Sequence, residues 1–150
     1  HQDPTWGFEF WYPGEWHRFG LTAGHEGVLY APDPLNNATA FMVEARDVGM
    51  EMKPEDLDDL RAGFLEGLRS LPACQIEEDR TLTAGPVIGV EAKYTYREGE
   101  ATRKCWARLL HAGTRQFHAV AQGETPDEYT YWLPMLFEMM MTVEIKPASA

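Results

Sequence analysis

Cysteine and serine are scarce in this sequence, basic residues are outnumbered, and no long apolar run is present. The two cysteines, Cys74 and Cys105, form no CxxC pair and are too few for a metal quartet or a disulfide framework, so both are expected as unpaired thiols. The only serines are Ser70, at a helix end, and Ser149, in the tail; neither stands in a GxSxG elbow, which leaves a serine nucleophile without a setting. With 13 basic residues against 24 acidic ones the net charge is −11, and such a chain is repelled by phosphate backbones and anionic lipid. Nucleic acid is therefore excluded as a partner. The most apolar stretch, Trp132 to Val143, carries Pro134 and Glu138 and falls short of the roughly 20 residues of a membrane span. Neither GxxxxGK[ST] nor GxGxxG occurs, so nucleotide binding lacks a cradle and no cofactor is expected. The numbering begins at His1, which leaves room for an upstream signal peptide, anchor or tag; a cytoplasmic protein and the soluble part of an exported one both stay open.

What is present is enough for one domain. At 150 residues folding removes roughly 70% of the unfolded chain's accessible surface. The composition, 44% hydrophobic and 25% charged, is that of a globular protein. Phe8 and Phe10 alternate with Gly7, Glu9 and Trp11, the period of a half-buried strand, before Pro13-Gly14 turns the chain. Extended pieces follow at His17 to Leu21, His25 to Ala31 and Thr39 to Val48, completing an opening β-meander. Pro54 with Glu55 and Asp56 starts a helix whose apolar stripe is Leu57, Leu60, Phe64, Leu68 and Leu71; Pro72 ends it. Four more strands are expected at Gln75 to Thr83, Val87 to Arg97, Ala101 to His111 and Gln116 to Gly123, with Gly85-Pro86, Glu98-Gly99 and Ala112-Gly113 as turns.

The Glu98-Gly99 turn makes register predictions. It pairs Arg97 with Glu100, Ala92 with Cys105, Val90 with Ala107 and Ile88 with Leu109, an apolar face that points Cys105 into the core. The reverse face then carries Glu91, Lys93, Lys104, Trp106 and Arg108 and should stay wet. With Ala112-Gly113 as the last turn, His118 pairs with Ala107 and His111 lies roughly 13 Å away along the strand, too far for a shared metal or a Cys-His couple. The acid runs Glu55, Asp56, Asp58, Asp59 and Glu77, Glu78, Asp79 lack the glycine turn and closing glutamate of a calcium loop and are taken as solvated faces. No catalytic or metal-binding residue is assigned.

Thr125-Pro126-Asp127-Glu128 is a capping box that opens a last helix, with Tyr129, Trp132, Leu133, Leu136, Phe137 and Met140 on its core face and Pro134 expected to kink or restart it. The opposite face is unusual: Tyr131, Met135 and Met141, with Met139 at the flank, stand where a solvated helix would carry charge. Either that face contacts a protein partner or a second copy of the chain, or the amino-terminal segment with Trp6 folds over it. Trp11 and Trp16 are open to two readings as well, structural packing or the lining of a cleft at the sheet edge.

The order of elements, together with Gly7, Phe8, Phe10, Pro13 and Trp16 and a final helix running into Val143-Glu144-Ile145, resembles the PsbP-like (Mog/PsbP, LpqN/DcrB-type) α/β/α sandwich family. The resemblance implies an α+β fold, an antiparallel sheet of about six to seven strands flanked by helices. It also implies members mostly without catalytic activity: photosystem II extrinsic subunits, a Ran-binding release factor, exported lipoproteins and type VI secretion effector chaperones. The family has no catalytic motif to carry over. The expectation is a non-enzymatic binding module that engages a protein partner or itself through Tyr131, Met135, Met139 and Met141. Its rival is a small-ligand carrier or enzyme with a cleft around Trp11, Trp16, Trp106 and Arg108.

Overall fold

The computed structural model describes residues 1–147, so Ser149 lies outside the described residues. Short strands at Gln2–Asp3 (β1) and Phe8–Glu9 (β2) are followed by His17–Phe19 (β3), Glu26–Ala31 (β4) and Ala40–Asp47 (β5). A 3-10 turn at Pro54–Asp56 leads into α1, Leu57–Arg69. Then come Gln75–Ala84 (β6), Val87–Glu98 (β7), Ala101–Ala112 (β8) and Arg115–Gly123 (β9), the helix Pro126–Met141 (α2), and Glu144–Ile145 (β10). Strands β3 to β9 form one antiparallel seven-stranded sheet in the order β3-β4-β5-β9-β8-β7-β6. The expected α+β order is present throughout. The first aromatic strand differs from expectation: β2 belongs to a separate three-stranded sheet with β1 and β10 rather than to the meander. Phe8 and Phe10 are nevertheless buried, meeting the core edge-to-face at Phe117, Tyr30 and Phe41.

The hairpin registers are corrected by two residues. The closing pairs are Glu98↔Ala101 and Ala112↔Arg115, so the turns are Gly99-Glu100 and Gly113-Thr114. Each glycine, at φ 65° and 62°, takes the first central position rather than the second, as in a type II′ turn. Gly85-Pro86 is a turn as expected, closed by Ala84↔Val87. A shift of two leaves every side chain on its own face. Cys105 is therefore buried as expected, but opposite Tyr94, while Ala92 faces Ala107, Val90 faces Leu109 and Ile88 faces His111.

Both sheet faces are covered, which overturns the expectation of one wet face. On one side Leu65 and Leu68 of α1 pack on Ala92, Tyr94, Cys105 and Ala107. On the other, Tyr129, Leu136, Met139 and Met140 of α2 pack on Phe41, Val43, Phe117 and Ala119. Each fully buried Phe or Leu in that layer contributes about 2 kcal/mol. Glu91 and Trp106, expected in water, are buried because α2 lies over strands β8 and β9.

Helix α2 begins where expected, with Thr125 Oγ1 accepting the Glu128 N–H at 3.1 Å. The glutamate does not return the bond of a capping box; its carboxylate accepts the Trp132 indole N–H one turn later at 3.0 Å. The helix runs through Pro134 without restarting. Pro134 and Thr130 are both exposed, so the Thr130 carbonyl that loses its N–H partner lies on the solvent side of the helix. Among the described residues no helix is long and apolar enough to cross a membrane.

Candidate functional site

Alternation along β7 and β8 places Glu91, Lys93, Lys104, Trp106 and Arg108 on the α2 side of the sheet, next to Arg80 of the edge strand β6. Register lines these residues up in rows across three strands. Arg80, Glu91 and Arg108 are direct cross-strand neighbours, as are Glu78, Lys93 and Trp106. Glu91 Oε2 accepts from Arg80 Nε at 2.5 Å, and Oε1 accepts from both Arg108 Nε and Trp106 Nε1 at 2.7 Å. Burial pushes the Glu91 carboxyl up, but the bonds from Arg80, Arg108 and Trp106 and the Arg108 charge outweigh it, so it sits below the ordinary carboxylate value. In the second row Lys93 Nζ pairs with Glu78 at 3.1 Å and lies 5.3 Å above the Trp106 ring centroid. Lys104 pairs with Glu77 and lies over the Tyr129 ring.

Between this ladder and α2 lies a groove of about 580 Å³. Trp106 forms its floor, Phe137 stacks on that indole at 6.0 Å, and Met141 approaches Arg108 Nη2 at 3.6 Å. From the groove the apolar surface continues around the exposed side of α2. Tyr131 is 73% exposed, Met141 50%, Phe137 48% and Met135 37%. At 3.6 residues per turn these four fall within an arc of about 160°, in which the only charges are the acids Asp127, in the first turn, and Glu138.

Three of the four helix residues expected on this face are there: Tyr131, Met135 and Met141. Met139 is not; it is fully buried in the core, and Phe137, expected in the core, is exposed. The helical angles explain the exchange. Met139 lies about 60° from Leu136 at the centre of the buried stripe, whereas Phe137 lies about 100° away, past its edge. Trp6 does not cover the face. The amino-terminal segment pairs through β2 with β10, and the Trp6 carbonyl accepts from Arg115 Nη1 at 2.8 Å.

The aromatic cleft does not form as one site. Trp106 and Arg108 share the groove, but Trp16 is buried edge-on against Trp132, and exposed Trp11 borders a separate depression with Gln2, Glu9 and Thr142. His111 and His118 are closer than expected, His118 opposite Leu109 and His111 opposite Gln116, two residues apart along the strand. Both rings are held below the ordinary histidine value by burial first, with Arg46 adding to it, and Glu44 opposing at His118. His118 borders a second, shallower cavity of about 460 Å³ under α1, with Phe64, Tyr94, Tyr96 and Gln122. Among the described residues no three His, Cys, Asp or Glu side chains gather as metal ligands. Arg80 was not singled out from sequence; its signal was the alternation of β6, obscured by a bulge between Ile76 and Glu78.

No protein-family model matches the chain, and no curated protein matches it. Solved structures do match. Cyanobacterial PsbP (CyanoP) from Synechocystis sp. is 12% identical with a TM-score of 0.72, over 97% of this chain and 90% of that one. LpqN, involved in cell envelope biogenesis of Mycobacterium tuberculosis, is 16% identical with a TM-score of 0.66, over 98% and 88%. A protein of unknown function from Pseudomonas aeruginosa, described as a putative regulator, is 14% identical with a TM-score of 0.62, over 90% and 100%. At these identities the likeness is one of architecture: the chain has the PsbP-like α+β fold.

Proposed function

We propose that this chain is a non-enzymatic binding module that engages a protein partner, or a second copy of itself, through the exposed face of α2. The observation that carries this reading is the run of Tyr131, Met135, Phe137 and Met141 on solvent beside the Trp106 groove. Large apolar side chains gathered in this way mark contact surfaces, and methionine adapts its shape to what it meets. The one buried acid among the described residues, Glu91, supports it too: both its oxygens already hold donors, so this carboxylate is not free to act as a base.

The test is Met135→Glu, read by light scattering and by a photo-reactive residue in place of Met135. The expected result is an unchanged melting temperature, a discrete cross-linked partner or second copy, and loss of any self-association in the glutamate variant. Cross-linking at exposed Leu35 serves as the control. Marked unfolding by Met135→Glu, or cross-linking no different from the control, overturns the reading.

A second reading, a small-ligand carrier, is favoured by the groove volume alone, which falls in the range of ligand sites. It now rests on Trp106 and Arg108 without Trp11 and Trp16. A strict monomer whose melting temperature rises with a metabolite or metal, with the rise lost in Arg108→Gln, would select it.

A further inference from the structure

We propose that the α2 face takes a basic amphipathic helix of another protein, an inference that rests on α2 being the contact surface. Along its whole length α2 carries Asp127, Glu128 and Glu138 but neither lysine nor arginine. Its last turn has no basic residue, so the helix itself supplies no cation to the negative end of its dipole, and the one beside it is Arg108 of β8. The cations nearest to it are already engaged: Lys93 with Glu78, Lys104 with Glu77, Arg80 and Arg108 with Glu91. The ladder holds these four cations against three carboxylates, an excess of one that the three acids of α2 outweigh, and the field that an approaching partner meets over α2 is set by those acids and by the −11 of the whole chain.

That field selects among occupants. A second copy would bring another −11 and another acidic α2 against the first, so like charges would face one another across the interface. Anionic membranes and nucleic acid are opposed for the same reason. A segment with lysine or arginine beside apolar anchors meets both features of the face. The form of the anchors is read from spacing. Tyr131 and Met135, like Phe137 and Met141, are four residues apart and make parallel ridges along α2, into which the side chains of an adjoining helix interdigitate at i, i+4 and i+7. The Trp106 groove beside Phe137 gives the largest anchor a pocket.

The experiment titrates the full chain into two fluorescently labelled peptides of roughly 20 residues, long enough to be helical. One is an amphipathic leucine and lysine helix, and the other has glutamate at every lysine. Tyr131→Ser/Met135→Ser/Met141→Ser removes the anchors without altering charge, and Glu138→Gln removes one acid. The lysine peptide is expected to bind, more weakly as salt rises, with at least a tenfold loss in the triple variant. Glu138→Gln should cost about two- to fivefold, the scale of one exposed charge pair. Equal binding of both peptides, abolished by the triple variant, overturns the basic partner but leaves α2 as a contact face. Binding of the lysine peptide unchanged in the triple variant shows diffuse attraction and overturns the proposal. A dimer that Met135→Glu dissociates, with no peptide binding, overturns it in favour of self-association. No binding and no dimer overturns both readings.

Discussion

Across the β7–β8 pair the Trp106 indole N–H donates to Glu91 Oε1 at 2.7 Å, in a row where Arg80 and Arg108 hold the same carboxylate from either side. A buried carboxylate with three donors is a structural keystone of the groove, since removing it strands an indole N–H and the well-buried Arg108. Glu91→Gln is expected to lower stability by about 2 kcal/mol at neutral pH, measured by urea denaturation. The sign with pH follows from the depressed folded value. The contribution is fully present above the unfolded value near 4.5 and is lost as pH falls through the lower folded one. The gap between wild type and variant should therefore close in acid; a constant gap would show that Glu91 acts through shape alone.

His111 and His118 should give a second, milder pH dependence. Burial lowers both, so the unfolded chain binds protons first, and stability falls as pH drops below the unfolded value near 6.5 toward the folded ones. The slope is bounded by about 1.4 kcal/mol per pH unit for each ring. His118→Leu should flatten the curve between pH 7.5 and 5.5, and an unchanged slope would remove His118 from the account.

The two thiols should separate in rate. Cys105, fully buried beside Tyr94, is pushed up by burial to about 12, while half-buried Cys74 is raised by burial and relieved by Arg69. A disulfide reagent is expected to modify Cys74 first and Cys105 only as the domain opens. Equal rates in the native state would place Cys105 outside the core.

Thr125→Ala deletes the hydroxyl that caps α2 and should cost about 1 kcal/mol, a fall in melting temperature of about 3 °C for a domain of this size. A loss that also disturbs peptide binding would mean that the cap positions the exposed face as well as stabilising the helix.

Gly123→Ala probes where β9 meets α2. A methyl group there would stand 2.4 Å from the Tyr129 backbone nitrogen, and neither backbone can yield without moving the helix. The expected cost is about 2–3 kcal/mol. A neutral result would show that the junction is looser than its geometry implies.

The strands were legible because period-two alternation and glycine turns are local signals, and each expected strand of the main sheet is present with ends within a few residues. Register was harder. Gly99 and Gly113 name their turns unmistakably, but whether a glycine takes the first or second central position is set by its backbone dihedral, which the residue type leaves open. The groove was half legible. Trp106 and Arg108 share a strand face by alternation, whereas Trp11 and Trp16, close in sequence to one another, are carried to different places by the Pro13-Gly14 turn. Met139 and Phe137 exchanged roles because the two sides of an almost wholly apolar helix differ by a few tens of degrees, less than composition can resolve.

The amino-acid order by itself determined the alternating faces of Val87–Ala112, where both helices start, and an acidic last helix without a single basic side chain. Only the tertiary structure decided that α2 lies over the sheet face bearing Glu91 and Trp106, which buries that pair and leaves Tyr131, Met135, Phe137 and Met141 outward. The reason is physical. Periodicity fixes which residues share a side of an element, but which sides meet depends on contacts between segments far apart in the chain, and those form only when the whole sheet is assembled.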